Sequence, residues 1–169
     1  MKKVTAASCA LALVAAALVA QAAPVKVLDQ KSLDRFLADY PKIARDGETA
    51  GIGVEGAAQG GGGDAPMAPP APGQIAETMR NALNALKQNP EAKRILAAHG
   101  WDNSFWDILF AVTASLGAIS MEEGFEGQTI PAEVKPYLDE MRGLAHQSDV
   151  ALVKKNREKI ETTFAESDE

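Results

Sequence analysis

The sequence predicts an all-α protein, a small bundle of about five helices behind a cleavable export leader. Three observations predict it. Apolar residues recur at spacings of three and four from residue 29 onward, cap residues precede most of those runs, and only Val25 to Leu28 reads as a weak strand. The expected organisation is a leader over residues 1–22, an amphipathic helix over 23–46, a flexible Gly/Pro-rich linker over 47–73 and a helical bundle over 74–165.

The leader is read from Lys2 and Lys3, followed by an apolar stretch from Val4 through Ala20 that only Thr5, Ser8 and Cys9 interrupt. That stretch is short and alanine-rich for a stable membrane span. Ala20 and Ala22 place small residues where a signal peptidase needs them, so the cut is expected between Ala22 and Ala23. Cys9 precedes most of the apolar stretch, whereas a lipidated cysteine would follow it. Two lysines without an arginine pair point to the general secretory route and to the periplasm.

Removal of residues 1–22 leaves 147 of the 169 residues, the size of one domain with a usable core. It also removes the chain's one cysteine, and with it any disulfide, thiol nucleophile or cysteine-bound metal. Loss of Lys2 and Lys3 takes the net charge from −6 to about −8. A chain so acidic is poorly suited to nucleic acid or to anionic lipid headgroups, because it has little to offer a phosphate.

The first helix is expected from Asp29 as N-cap, with Leu28 and Leu33 spaced as a hydrophobic staple across it. Leu33, Phe36, Leu37 and Tyr40 then share one face. Pro41 is expected to kink the helix or to start a short second piece carrying Ile43 and Ala44, and Gly47 to end it. The glycines and prolines that follow leave too few large side chains to offset the entropy of ordering, so a mobile linker is read there. A phosphate-cradling loop is disfavoured, since no Lys-Ser or Lys-Thr pair follows and no strand precedes.

The main body begins near Gln74 with the stripe Ile75, Met79, Leu83 and Leu86. Asn89-Pro90-Glu91 reads as N-cap, first-turn proline and early acid of a short helix through Ile95 and Leu96, which Gly100 closes. Asp102, Asn103 and Ser104 offer caps for the most apolar segment, Phe105 to Met121. That segment is apolar over much of its circumference and is expected at the centre of the bundle; Asp107 and its length argue against a membrane span. Another helix is expected from Ile130-Pro131, with Pro136 marking a kink or a late start. Ser148 or Asp149 should cap a last helix carrying Val150, Val153, Ile160 and Phe164.

The densest candidate site is His99-Gly100-Trp101-Asp102-Asn103-Ser104-Phe105-Trp106-Asp107, to which Phe110 adds a further aromatic wall. In a functional reading, His99, Trp101, Asp102, Phe105, Trp106 and Phe110 bind a ligand, or His99 acts as a general base oriented by Asp102 or Asp107. The structural reading is preferred: Gly100 ends a helix, His99 sits favourably at its C-terminus and the tryptophans staple two helices. His146 reads as an exposed polar residue. Glu122, Glu123 and Glu126 lack the spacing of a calcium loop, and the two histidines lack a metal-ligand spacing, so no metal and no cofactor is expected.

Phe36 with Tyr40-Pro41, Gly100-Trp101 with Trp106 opening an apolar helix, and Val134 with Pro136-Tyr137-Leu138 together resemble a group of exported helical proteins of proteobacteria. The resemblance implies export and an all-helical fold, and that group carries no activity to transfer. The function expected is non-enzymatic binding of a periplasmic protein partner. The alternatives are carriage of a small apolar ligand and, third, hydrolysis at His99. Mass spectrometry of the native protein should find a mature chain beginning at Ala23; a chain retaining Met1 would contradict the leader assignment.

Overall fold

The computed structural model describes residues 24–52, 71 and 73–166. The expected leader, most of the Gly/Pro tract and the last three residues lie outside the described residues. Seven helices and no strand are found among those described: α1 (Gln30–Thr49), α2 (Ile75–Gln88), α3 (Pro90–Ala98), α4 (Ser104–Gly124), α5 (Lys135–Arg142), α6 (Gln147–Lys155) and α7 (Arg157–Glu166). The all-α class holds, with about two more helices than expected.

α4 is the axis. Phe105, Trp106, Ile108, Leu109, Ala111, Val112, Ala114, Ser115, Ala118 and Ile119 are all buried, spread around the helix rather than along one stripe. Such a helix needs cover on several sides, and α1, α2, α5 and α6 all pack on it. Among the described helices it is the one long and apolar enough to cross a bilayer, yet 56% of its apolar window is buried inside the protein, as in a core helix. Where α5 packs on it, Gly117 leaves room for the end of Met141: an added Cβ would lie 2.5 Å from Cε of that side chain.

α1 starts as its sequence dictates. Asp29 accepts the Ser32 amide at 2.7 Å while Ser32 Oγ accepts the Asp29 amide at 3.0 Å, a reciprocal capping box. Leu28 and Leu33, the expected staple, are both buried. Contrary to expectation, α1 runs through Pro41 as one helix and does not stop at Gly47. Gly51, at φ +70°, supplies the left-handed residue that ends it. The Gly51 amide donates to the Glu48 carbonyl and the Ile52 amide to the Gly47 carbonyl, a Schellman ending, and Ile52 packs against the core. Residues 47–52, expected as the start of the linker, belong instead to α1 and its ending.

Leu33, Phe36, Leu37 and Ile43 of α1 share one hydrophobic cluster with Leu96, Phe105, Val112, Val153 and Ile160 from the rest of the chain. At roughly 1.5–3 kcal/mol for each large side chain buried, those four α1 residues contribute on the order of 10 kcal/mol gross. α1 is thus part of the bundle's own core, packed on α3, α4 and α7.

Two carboxylates close the entrances of α1 and α2. Asp149, wholly buried in the first turn of α6, accepts the amides of Val27 at 2.9 Å and Leu28 at 3.2 Å. This fixes residues 24–28 as a strap rather than the strand the sequence hinted at. Glu140 of α5 accepts the Gly73 amide at 2.7 Å and the Ala76 amide at 2.8 Å, capping α2, whose own Gln74 provides no side-chain cap.

Pro136 produces a late start, one of its two expected effects, since α5 begins only at Lys135 with proline in its first turn. The remainder of the C-terminal half departs from expectation in two places. Neither Ser148 nor Asp149 caps α6; Nδ1 of His146 accepts the Ser148 amide at 3.2 Å instead. The single last helix expected is two, divided at Asn156. There the backbone amide donates to the Leu152 and Val153 carbonyls, the side-chain amide donates to Leu152, and the carbonyl accepts the Ile160 amide.

Asp149→Ala should cost about 1–3 kcal/mol, because one buried and one partly buried amide lose their acceptor; an unchanged urea midpoint would show that the strap needs no latch. Proteolysis confined to residues 53–70 should leave both fragments associated on gel filtration, and clean separation would contradict the shared core.

Candidate functional site

The aromatic signature lies at the corner between α3 and α4. α3 begins as expected: Asn89 Oδ1 accepts the amides of Glu91 at 2.9 Å and Ala92 at 3.1 Å, with Pro90 in the first turn. It ends in a second Schellman motif. The Trp101 amide donates to the Leu96 carbonyl at 2.8 Å and the Gly100 amide to Ala97 at 3.0 Å, with Gly100 at φ +70°. That left-handed step turns Trp101 inward, where it is only 8% exposed.

From there the rings form a chain through the core. Trp101 meets Phe105 edge-on at 5.5 Å, Phe105 meets Trp106 edge-on at 5.3 Å, and Phe36 of α1 lies 5.1 Å from Phe105. Tyr40 and Phe164 continue the chain, 4.5 Å apart. Phe105 and Trp106 are 1% and 5% exposed, so these rings fill space rather than wall it. Phe110 sits elsewhere, against the smaller cluster of Ala76, Ala114, Leu144 and Ala145. The six predicted ligand-binding residues therefore divide, with Trp101, Phe105 and Trp106 together and Phe110 apart.

The polar members are committed to the corner itself. His99, the C-cap residue of α3, places Nε2 2.8 Å from a carboxylate oxygen of Asp46 on α1. This corrects the expectation that Asp102 or Asp107 would orient it. Asp102 instead accepts the Ser104 amide at 2.8 Å at the start of α4, and Asp107 is paired with Lys87 of α2. The carboxyl of Asp102 is held below the ordinary aspartate range, first by the Ser104 hydroxyl and then by the Ser104 amide, with Arg35 adding a smaller Coulombic pull. Asp29 is lowered in the same way by the Ser32 amide and hydroxyl.

Three residues essential to this corner carried no signal in the sequence: Arg35, Asp39 and Asp46, all on α1. Arg35 lies over the Trp101 ring at 4.0 Å and donates to the Gly100 carbonyl at 2.6 Å. Asp39 accepts the Trp101 indole N–H at 3.0 Å. They occupy the polar face of an amphipathic helix, where acids and bases are read as solvated. Only knowledge that this face meets the α3–α4 corner distinguishes them.

Two buried donors have no hydrogen-bond partner among the described residues: Nε1 of Trp106 and Oγ of Ser115. Glu122 and Glu123, at the end of α4, are engaged by Arg142 and Arg157. No group of three or more metal-ligating side chains is found among the described residues. Compared with protein-family models, curated proteins and solved structures, the chain matches none of them.

Gly100→Ala should destabilise by about 1–2 kcal/mol, the penalty for a Cβ in the left-handed region, and Ser115→Ala should be neutral or stabilising because it removes an unpartnered hydroxyl. Denaturation midpoints decide both; a large loss from Ser115→Ala would reveal a partner for that hydroxyl. The lowered carboxyls of Asp29 and Asp102 contribute stability that is complete above the ordinary aspartate range and fades as pH falls through their folded values. Asp102→Asn should flatten part of that acid limb in denaturation series between about pH 6 and pH 2. An acid limb identical to wild type would exclude Asp102 as a contributor.

Proposed function

We propose that this chain is an exported helical protein that binds a protein partner through its surface and performs no catalysis. The observation that carries the reading is how the polar side chains of the aromatic corner are used. His99, Asp102 and Asp107 are each engaged in joining or capping helices, and Trp101 and Phe105 are packed core. A catalytic base needs a reacting proton within reach and an orienting partner suited to transfer it; here His99 instead links α3 to α1. Export is supported by the charged and apolar pattern of residues 2–20 and by a body that relies on no cysteine.

The partner surface is placed on the side formed by α2 and α5. Ile75, Met79, Phe110 and Met141 lie only partly buried there, around the smaller of the two clusters. Partly buried apolar side chains also border the larger cluster, among them Tyr40, Leu83, Leu116 and Phe164, but the methionines Met79 and Met141 lie around the smaller one. Methionine and aromatic side chains at the margin of a packed cluster suit contact with another protein, because they adapt their shape at little energetic cost.

Cross-linking in the native envelope fraction, followed by purification, should recover one recurring protein partner with wild type and lose it with Met79→Glu, while circular dichroism and melting of the variant stay close to wild type. An unchanged set of cross-linked proteins would overturn the placement. One observation favours a second reading, carriage of a small apolar ligand: the unpartnered indole N–H of Trp106 would be satisfied by a ligand's polar end. Tryptophan fluorescence should stay flat across a panel of fatty acids and aromatic probes on the protein-binding reading, and a saturable response abolished by Trp106→Phe would favour the carrier.

A further inference from the structure

We draw no further inference here: the strongest candidate, the partly buried apolar face of α2 and α5 around Met79 and Met141, belongs to the surface already proposed, and nothing in the structure shows what covers it.

Discussion

The need to cover α4 governs the rest of the structure. A helix buried around most of its circumference cannot be satisfied by one neighbour, since a single packed helix covers only one stripe. α1, α2, α5 and α6 all pack on it, and α3 and α7 secure α1. Small residues determine how closely they approach. Ala111, Ala114 and Ala118 are fully buried, and Gly117 gives Met141 its place. Larger residues at the three alanines would overpack these contacts, at a cost of about 1–3 kcal/mol each.

Hydrophobic cover alone does not set register, and the polar links supply it. Asp149 and Glu140 each take two main-chain amides from a distant segment, which fixes position along the chain more sharply than interchangeable side-chain contacts can. Both act where backbone donors would otherwise lack partners, just before α1 and at the first turn of α2. Asp149 lies in the first turn of α6, where the helix dipole favours negative charge. Exposed pairs such as Lys159 with Asp34 and Arg94 with Glu91 add little by comparison, because water screens them.

Local chemistry was legible in the sequence wherever one residue and its near neighbours decide the outcome. The capping box at Asp29, the Leu28–Leu33 staple, the Asn89-Pro90 start of α3, the glycine ending at Gly100 and the central place of the Phe105–Met121 segment could all be read directly. What was not legible depends on tertiary placement. Gly47 and Gly51 look alike as helix stops, and only the second adopts positive φ. Pro41 removes one amide donor, but Leu37 before it and Ile43 after it are both buried, which holds α1 together across the gap. His146 caps α6, while Asp149, the better capping type, instead accepts the amides of the strap. The break at Asn156 is equally hidden, since asparagine is tolerated within helices and the positions on either side continue the apolar period.

The same distinction bears on the aromatic corner. Read along the chain, His99, Trp101, Asp102 and Trp106 resemble a site because rare residue types are crowded together. In space two of them acquire neighbours that the linear order conceals, Asp46 for His99 and Asp39 with Arg35 for Trp101, while Asp102 accepts the Ser104 amide close by in sequence. Every one of these bonds ties the start of α4 or the end of α3 either to α1 or to itself, so removing one perturbs helix placement before it perturbs any chemistry. Trp106 is the exception, with a buried donor that nothing described satisfies. A buried N–H without an acceptor costs about 1–3 kcal/mol, and a chain that retains it has either another use for that nitrogen or no better way to fill the volume beside Phe105. The neighbouring rings favour the second explanation: an indole packed edge-on at 5.3 Å supplies more contact area than any smaller side chain could at that position.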